Sequence, residues 1–569
     1  MRFNDKQKGS WKRTFNIFRK FKIPWHLYIM EAILGLASTK IALLLVPYQT
    51  DIKTGNITEN NVVIGLIVFT LLNLLFRFIA DIPKFYSQYI VKRNLQQKMI
   101  GKVLALPMKV FEKQGSIIIN WITEDSDYAH GFISTIIGFF TEIATSFMTL
   151  EQMNKIEGSL AFILPIVIAY TFFSNWVEGK LIFLRERRGR KALSQITAFF
   201  AEHLGFFLNM KQLHAEDEAV IRGNEAIEEV YRADIFMAMM TALINLVSGS
   251  IQQIIMILVF VLGVPIVRSG GMTINGLVEY QTYIMIAYNS LSALPGLYTN
   301  LMYYNGILFY VGQLFAYDDE VYQREKSMDI DDNDIRFENV DFGYENDLTI
   351  HNASFTIPKG SITAIVGPNG SGKSTIFKLI ERFYTPKSGT IYFGDRNIEE
   401  IHLDEWRQSI GYVLQEPMLF NASIRDNVAY GMHREVSDDE IISALKLACA
   451  YEFVQELEGG LDFVIGDNGS RLSAGQRQRI AIARTVMLDP SYLLLDEATC
   501  NMDVYSQREV TQALFQLMRN RTTIMISHDP KMISKANHFV VVNEGVIESS
   551  GTMEEVNKES EIFKKLLFI

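Results

Sequence analysis

The stretch "SITAIVGPNGSGKSTIFKLIERF", residues 361–383, decides how the second half of the chain folds. "SITAIV" reads as a buried strand and "TIFKLIERF" as the helix that follows it. The loop between them fits the spacing GxxxxGK[ST]. Gly367, Gly370 and Gly372 let backbone N–H groups converge on phosphate oxygens, and the helix N-terminus adds its partial positive charge. Lys373 reaches the β and γ phosphates, and the Ser374 hydroxyl is placed to ligate Mg²⁺. Asn369, Ser371 and Thr375 complete the cradle. A plain glycine-rich turn would not need a strand before it and a helix after it.

"SYLLLDEAT", residues 491–499, supplies the second half of a hydrolytic site. A buried strand ends in Asp496, which is suited to hold the metal, and Glu497 follows it, placed to polarise an attacking water. His528 in "TTIMISHD" ends a further strand and is positioned by sequence to reach the same water. A lone histidine at a strand end is ordinarily structural; its place downstream of this acidic pair favours the functional reading. Strand-like runs alternating with helical segments from about Ile335 to the C-terminus indicate an α/β domain around a largely parallel sheet.

The first three hundred residues read differently. The chain has 569 residues, is 49% hydrophobic and has a positive mean hydropathy, but its long apolar runs all precede residue 317. Six spans are expected, near 27–48, 62–82, 131–151, 157–178, 236–266 and 273–296, each about the ~20 residues needed to cross hydrocarbon. Basic residues set their orientation. Eight Lys or Arg fall in 1–24, seven in 84–113 and nine in 180–232, whereas the short loops between carry only Lys53, Lys155 and Arg268. The N-terminus, both long connections and the C-terminal domain are therefore expected in the cytoplasm. The second span continues as a helix towards Leu106 and stops near Pro107. The basic segment 1–24 is expected to lie as an amphipathic helix on the membrane surface, and no cleaved signal peptide is expected.

A net charge of −10 argues against a nucleic-acid partner. Cys449 and Cys500 have no metal-ligand spacing and read as reduced thiols. Glu31, Lys40, Asn73, Arg77, Glu142, Asn245, Gln252, Gln253, Glu279, Gln281 and Asn289 interrupt the spans. As a set they suggest a polar pathway, although each one alone could serve interhelical packing. Tyr280, Tyr283, Tyr288 and Tyr298 could line that pathway or pack.

"RLSAGQRQR", residues 471–479, lies twenty residues before "LLLDEAT" and resembles the signature of ATP-binding cassette (ABC) transporters. The resemblance extends over the whole chain and implies a multi-domain membrane protein: an all-α six-helix transmembrane domain of the exporter type, then an α/β P-loop ATPase domain. "LPMKVFEKQGSIIINWITEDSD" and "AEHLGFFLNMKQLHAEDEA" are similar to the two cytoplasmic loops of that type. The expected domains are 1–24, the interfacial helix; 25–317, the membrane domain; 318–334, an acidic linker; and 335–569, the nucleotide-binding domain. The resemblance implies that Tyr344 stacks on adenine and that Gln415 senses Mg²⁺ and the membrane domain. It also implies that Ser473, Gly475, Gln476 and Asp503 close over ATP held by a second cassette. A half-transporter partner, identical or not, is then required, with ATP and Mg²⁺ as cofactors, in a lipid membrane expected to be the bacterial plasma membrane.

Three positions depart from the pattern. Ala474 replaces a glycine of the signature, Cys500-Asn501-Met502 precede Asp503, and Trp121 stands where the first loop usually has arginine. The first two raise the odds of a heterodimer. The expected activity is ATP-driven export of an amphipathic cargo such as a drug, peptide or lipid-linked molecule. Uptake of a metal chelate, or a membrane ATPase that gates without transporting, are the alternatives.

Overall fold

The computed structural model describes residues 10–54, 60–157, 207–320, 333–344, 347–499 and 502–567, with scattered positions between 160 and 200. Packing divides the chain into two units: residues 1–104 with 114–317, and residues 105–113 with 318–569.

The first unit is helical. Its elements are α1 (Ser10–Ile17), α2 (Trp25–Lys53), α3 (Asn60–Leu104), α5 (Tyr128–Ile156), α6 (Glu216–Arg268) and α7 (Ile274–Leu314), while α4 (Met108–Thr123) begins in the other unit. Four helices among the described residues are long and apolar enough to cross a membrane: Trp25–Lys53, Val62–Leu104, Ile118–Ile156 and Glu216–Arg268. The expected span at 157–178 lies largely outside the described residues, though the described positions from 163 to 200 are helical. The expected sixth span falls on α7, whose apolar run is diluted by Asn, Glu, Gln and Tyr. The long rod ending before Pro107 is present: α3 has 45 residues, about 68 Å at 1.5 Å per residue. It leaves Ile64, Leu71, Leu74 and Phe78 exposed, the face a bilayer would cover. α6 opens on Glu216, Asp217 and Glu218, carboxylates that complement the positive end of a helix dipole.

The core of this unit answers one question left open by the sequence. Tyr280, Tyr283 and Tyr288 pack with Ile251, Ile255 and Val259 of α6 and with Leu43 and Val46 of α2. The Tyr283 hydroxyl donates to the Leu43 carbonyl at 3.2 Å. These three tyrosines are packing residues. α1 is also packed: the Thr14 hydroxyl donates to Asn305 Oδ1 of α7 at 2.7 Å, and Trp11, Phe15 and Phe18 gather round Phe132 of α5.

The second unit is α/β. A six-stranded sheet has the order β10-β9-β3-β8-β7-β6, with β3 (Ile362–Val366), β6 (Ile410–Val413), β7 (Tyr492–Asp496), β8 (Thr522–Ile526) and β9 (His538–Asn543) parallel, and β10 (Val546–Gly551) antiparallel to β9. The four inner strands are almost wholly buried because helices cover one face and a second sheet with a helix covers the other, which is why their sequences read as unbroken apolar runs rather than alternations. A second sheet, order β2-β1-β4-β5, is antiparallel and is formed from β1 (Ile335–Phe342), β2 (Ile350–Ile357), β4 (Ser388–Phe393) and β5 (Arg396–Asn397). Three helices matter for the site: α8 (Lys373–Ile380), α9 (Ala474–Leu488) and α10 (Val504–Leu517). Most of the acidic linker lies outside the described residues. At its start, Glu320 grips Arg407 with both carboxylate oxygens at 2.9 and 2.7 Å, and its N–H donates to the Ala105 carbonyl at 2.7 Å.

Candidate active site

Parallel strands deliver their C-terminal ends to one edge of the sheet, the place where ligands bind in open α/β folds. β3 releases the phosphate loop there. β6 releases Gln415, β7 ends in Asp496 with Glu497 next, and β8 is followed by Ser527 and His528. Four segments far apart in sequence therefore meet because β3, β8, β7 and β6 are neighbours in register, Asp496 being paired with Ile526.

The carboxylate of Glu497 is the centre of this group. Gln415 Nε2 donates to Glu497 Oε2 at 3.3 Å, and His528 Nε2 lies 3.6 Å from Glu497 Oε1. Glu497 holds a left-handed backbone conformation, φ 45°, fixed by its N–H donating to the Ile526 carbonyl at 2.9 Å. A side chain there costs about 1–2 kcal/mol over glycine, so the turn aims the carboxylate at a local expense in strain. Beside it, the Tyr412 hydroxyl donates to Asp496 Oδ2 at 3.2 Å. Burial raises the Asp496 carboxyl above its ordinary range against the lowering effect of Tyr412, and the neighbouring Glu497 charge raises it further. A divalent cation would reverse that penalty. Tyr412 was not singled out from the sequence; it lies inside β6, and no local pattern connects it with a residue 84 positions away.

The phosphate loop has the shape the motif requires. Gly372 has φ 104° and Gly370 φ 80°, both unfavourable for a side chain. A Cβ on Gly367 would fall 2.0 Å from the Val542 carbonyl oxygen. Gly372, Lys373 and Ser374 open α8, whose first amides have no acceptor within the helix. Among the described residues Ser371 Oγ has no hydrogen-bond partner, and it is buried. Lys373 is 7% exposed and donates to the carbonyls of Gly367 and Pro368, both at 2.9 Å. Burial lowers its pKa, while the charges of Glu497 and Asp496 pull it back up. Orphaned donors, a buried cation and a backbone that admits no Cβ are what a polyphosphate fits. Asn369 and Ser374 are exposed, and Thr375 is buried with Oγ1 3.2 Å from the Tyr344 hydroxyl. Tyr344 is half-buried, edge-on to Phe342 and Tyr384, with Lys378 Nζ 5.3 Å over its ring. Lys378 and Tyr384 both donate to the carboxylate of Glu112, from the short stretch 105–113.

Ser473, Gly475, Gln476 and Asp503 stand apart from this group. Ser473 caps α9 in a capping box: its hydroxyl accepts from the Gln476 N–H at 3.2 Å, and Gln476 Oε1 accepts from the Ser473 N–H at 2.9 Å. A Cβ on Gly475 would lie 2.6 Å from Ser506 Cβ, so the glycine sets how closely α9 meets α10. Asp503 caps α10, accepting from the Tyr505 and Ser506 N–H groups at 3.0 Å. Among the described residues no hydrogen bond joins these four to the phosphate loop. Ala474 is the first residue of α9; Cys500 and Asn501 lie outside the described residues. Trp121 is buried and stacks on Tyr310.

The comparisons agree with this architecture. The ABC transporter model matches residues 350–500, and the model for the ABC transporter transmembrane region matches residues 29–291. An ATP-dependent permease MDL1 of Candida albicans is 30% identical over 496 residues, covering 83% of this chain and 72% of the relative. The chain is an ABC transporter. A multidrug resistance ABC transporter ATP-binding and permease protein of Lactococcus lactis is 26% identical over 569 residues, with 98% and 95% of the two chains covered. Among solved structures, a bacterial Atm1-family ABC exporter with ATP bound shares the fold: TM-score 0.76, 24% identity, and 95% and 96% of the two chains covered. This ABC transporter thus joins a helical transmembrane domain to an α/β ATPase domain in one chain and couples ATP hydrolysis to transport.

The membrane unit of the transporter contains a cavity of about 740 Å³ between α2, α3, α5 and α7. Glu31, Asn73, Arg77, Glu142 and Asn289, five of the intramembrane polar residues picked out from the sequence, line it. Lys40, Asn245, Gln252, Gln253, Glu279 and Gln281 do not. A smaller, apolar pocket of about 390 Å³ has Phe139, Leu294 and Tyr298 in its wall.

Proposed function

We propose that the protein exports an amphipathic cargo from the cytoplasm, driven by ATP hydrolysis at the interface of two half-transporters. The observation that carries this reading is the meeting of Lys373, Gln415, Asp496, Glu497 and His528 at one sheet edge, in a chain whose other unit encloses a polar cavity among long apolar helices. Lys373 and the amides of residues 370–375 bind the β and γ phosphates, and Tyr344 stacks on the base. Ser374, Asp496 and Gln415 hold Mg²⁺, which neutralises phosphate charge when bound. Glu497 accepts the proton of the attacking water, and His528 orients that water and the γ-phosphate.

Ser473, Gly475 and Gln476 serve the nucleotide of the partner subunit. Their separation from the chain's own loop supports this, and Asp503 stiffens the same interface by capping α10. Binding of ATP then closes two cassettes and hydrolysis releases them, biasing the membrane helices between two states. The basic N-terminus and long connections support a cytoplasmic nucleotide unit in this reading, with a bacterial plasma membrane as the setting.

Protein reconstituted in vesicles with the nucleotide unit outward should hydrolyse added ATP and move cargo into the lumen. Glu497→Gln should bind ATP, stop turnover and accumulate a dimer. ATP-independent equilibration of cargo, or turnover undiminished in the variant, would overturn the reading.

A further inference from the structure

The walls of the 740 Å³ cavity carry charge in an ordered way. α3 contributes Arg77, Asp81 and Lys84, whose spacing of four and three residues puts them on one helix face. The opposite walls contribute Glu31 from α2 and Glu142 from α5. One wall is therefore net positive and the facing walls are negative. Among the described residues none of these five side chains forms an ion pair with another. Among the described residues, Glu31 Oε2 is closed off from solvent with no hydrogen-bond partner, and Glu31 Oε1 receives a 3.5 Å contact from Ser134. Separated, unpaired charges among apolar helices are costly, and such groups ordinarily mark what passes through.

The apolar pocket lies on other faces of α5 and α7 and shares no lining residue with this cavity. The cavity itself lies within the size range of small-ligand sites.

Resting on the export reading above, we infer that the cargo is dipolar: a short peptide or peptide-like molecule bearing a free ammonium and a free carboxylate. The ammonium meets Glu31 and Glu142, and the carboxylate meets Arg77 and Lys84. A simple cation would leave the α3 wall uncompensated, and a simple anion would leave Glu31 and Glu142 uncompensated. A molecule with both charges satisfies each wall.

The test uses the full chain in lipid nanodiscs and the tripeptide Leu-Phe-Leu in four forms: both ends free, N-acetylated, C-amidated, and blocked at both ends. The readout is the concentration giving half-maximal stimulation of ATP hydrolysis. The free-ended peptide should act at the lowest concentration, and each block should raise that value about tenfold or more, the worth of one charge-assisted hydrogen bond. Glu31→Gln should reduce the effect of acetylation, with Glu142 remaining, and leave that of amidation; Arg77→Gln should reduce the effect of amidation, with Lys84 remaining, and leave that of acetylation. Equal values for all four peptides, no stimulation by any of them, or variants that respond alike to both blocks would overturn the inference. The comparison of peptides on the unaltered protein needs no variant to fold. ATP hydrolysis without peptide, and its loss in Glu497→Gln, reports on the export reading separately, so either conclusion can fail alone.

Discussion

Replacing Glu497 by glycine probes the active site from two sides at once. The residue has φ 45°, a conformation that costs a side chain about 1–2 kcal/mol and costs glycine nothing. Glycine in turn adds unfolded-chain freedom worth about 0.5–1 kcal/mol. The two effects partly cancel, leaving Glu497→Gly between unchanged and about 1.5 kcal/mol more stable, or roughly 0–6 °C in Tm for a unit of this size. The contact with Gln415 at 3.3 Å is exposed and adds little to this balance. Activity should behave in the opposite way: removal of the proton acceptor should lower ATP turnover by about 10²–10⁴-fold. Glu497→Gln should lose as much activity without the relief of strain. Turnover by phosphate release, ATP affinity by a fluorescent analogue and unfolding by differential scanning fluorimetry measure all three. A glycine variant that keeps turnover within tenfold of the parent would refute the assigned role, and one that unfolds more than about 8 °C lower would refute the strain.

Lys373→Ala should weaken ATP binding by about 10–150-fold, the loss of one charged hydrogen-bond donor, measured by equilibrium titration; unchanged affinity would remove Lys373 from the phosphate site. Burial pushes the Glu381 carboxyl up to about 8, with Arg407 opposing and Asp496 reinforcing. The unfolded chain releases this proton near pH 4.5, so folding stability should fall as pH rises from about 4.5 to 8. Glu381→Gln should flatten that part of the Tm profile, and an unaltered slope would disprove the assignment. Arg407→Lys replaces a two-pronged grip on Glu320 with a single contact and should cost about 1–2 kcal/mol, seen as a lower Tm, because both side chains are largely buried.

The phosphate-loop motif was fully legible because it depends on local spacing: Gly367, Gly370, Gly372, Lys373 and Ser374 fall in one short run between a strand and a helix. Glu497 and His528 could be nominated from strand ends, but their 3.6 Å separation depends on β7 and β8 being parallel neighbours, which no local pattern encodes. The tyrosines of α7 show the same limit. Tyr280, Tyr283 and Tyr288 fall on the buried side and Tyr298 on the wall of the apolar pocket, a division set by what the helix packs against. Asp503 could have been read as a helix cap from its place before "VYSQ". The partnership of Glu112 with Lys378 and Tyr384 spans more than 260 positions and was beyond any sequence argument.

That last partnership has a practical consequence for anyone cutting the gene. Residues 105–113 precede the nucleotide unit by two hundred positions, yet pack as part of it. A soluble fragment starting at 318 would therefore lack one of its own pieces. Lys378, Tyr384 and the Glu320 amide would all be left facing water, a notch in an otherwise finished surface. Supplied as a free nonapeptide, "ALPMKVFEK" is the piece shaped to fill it.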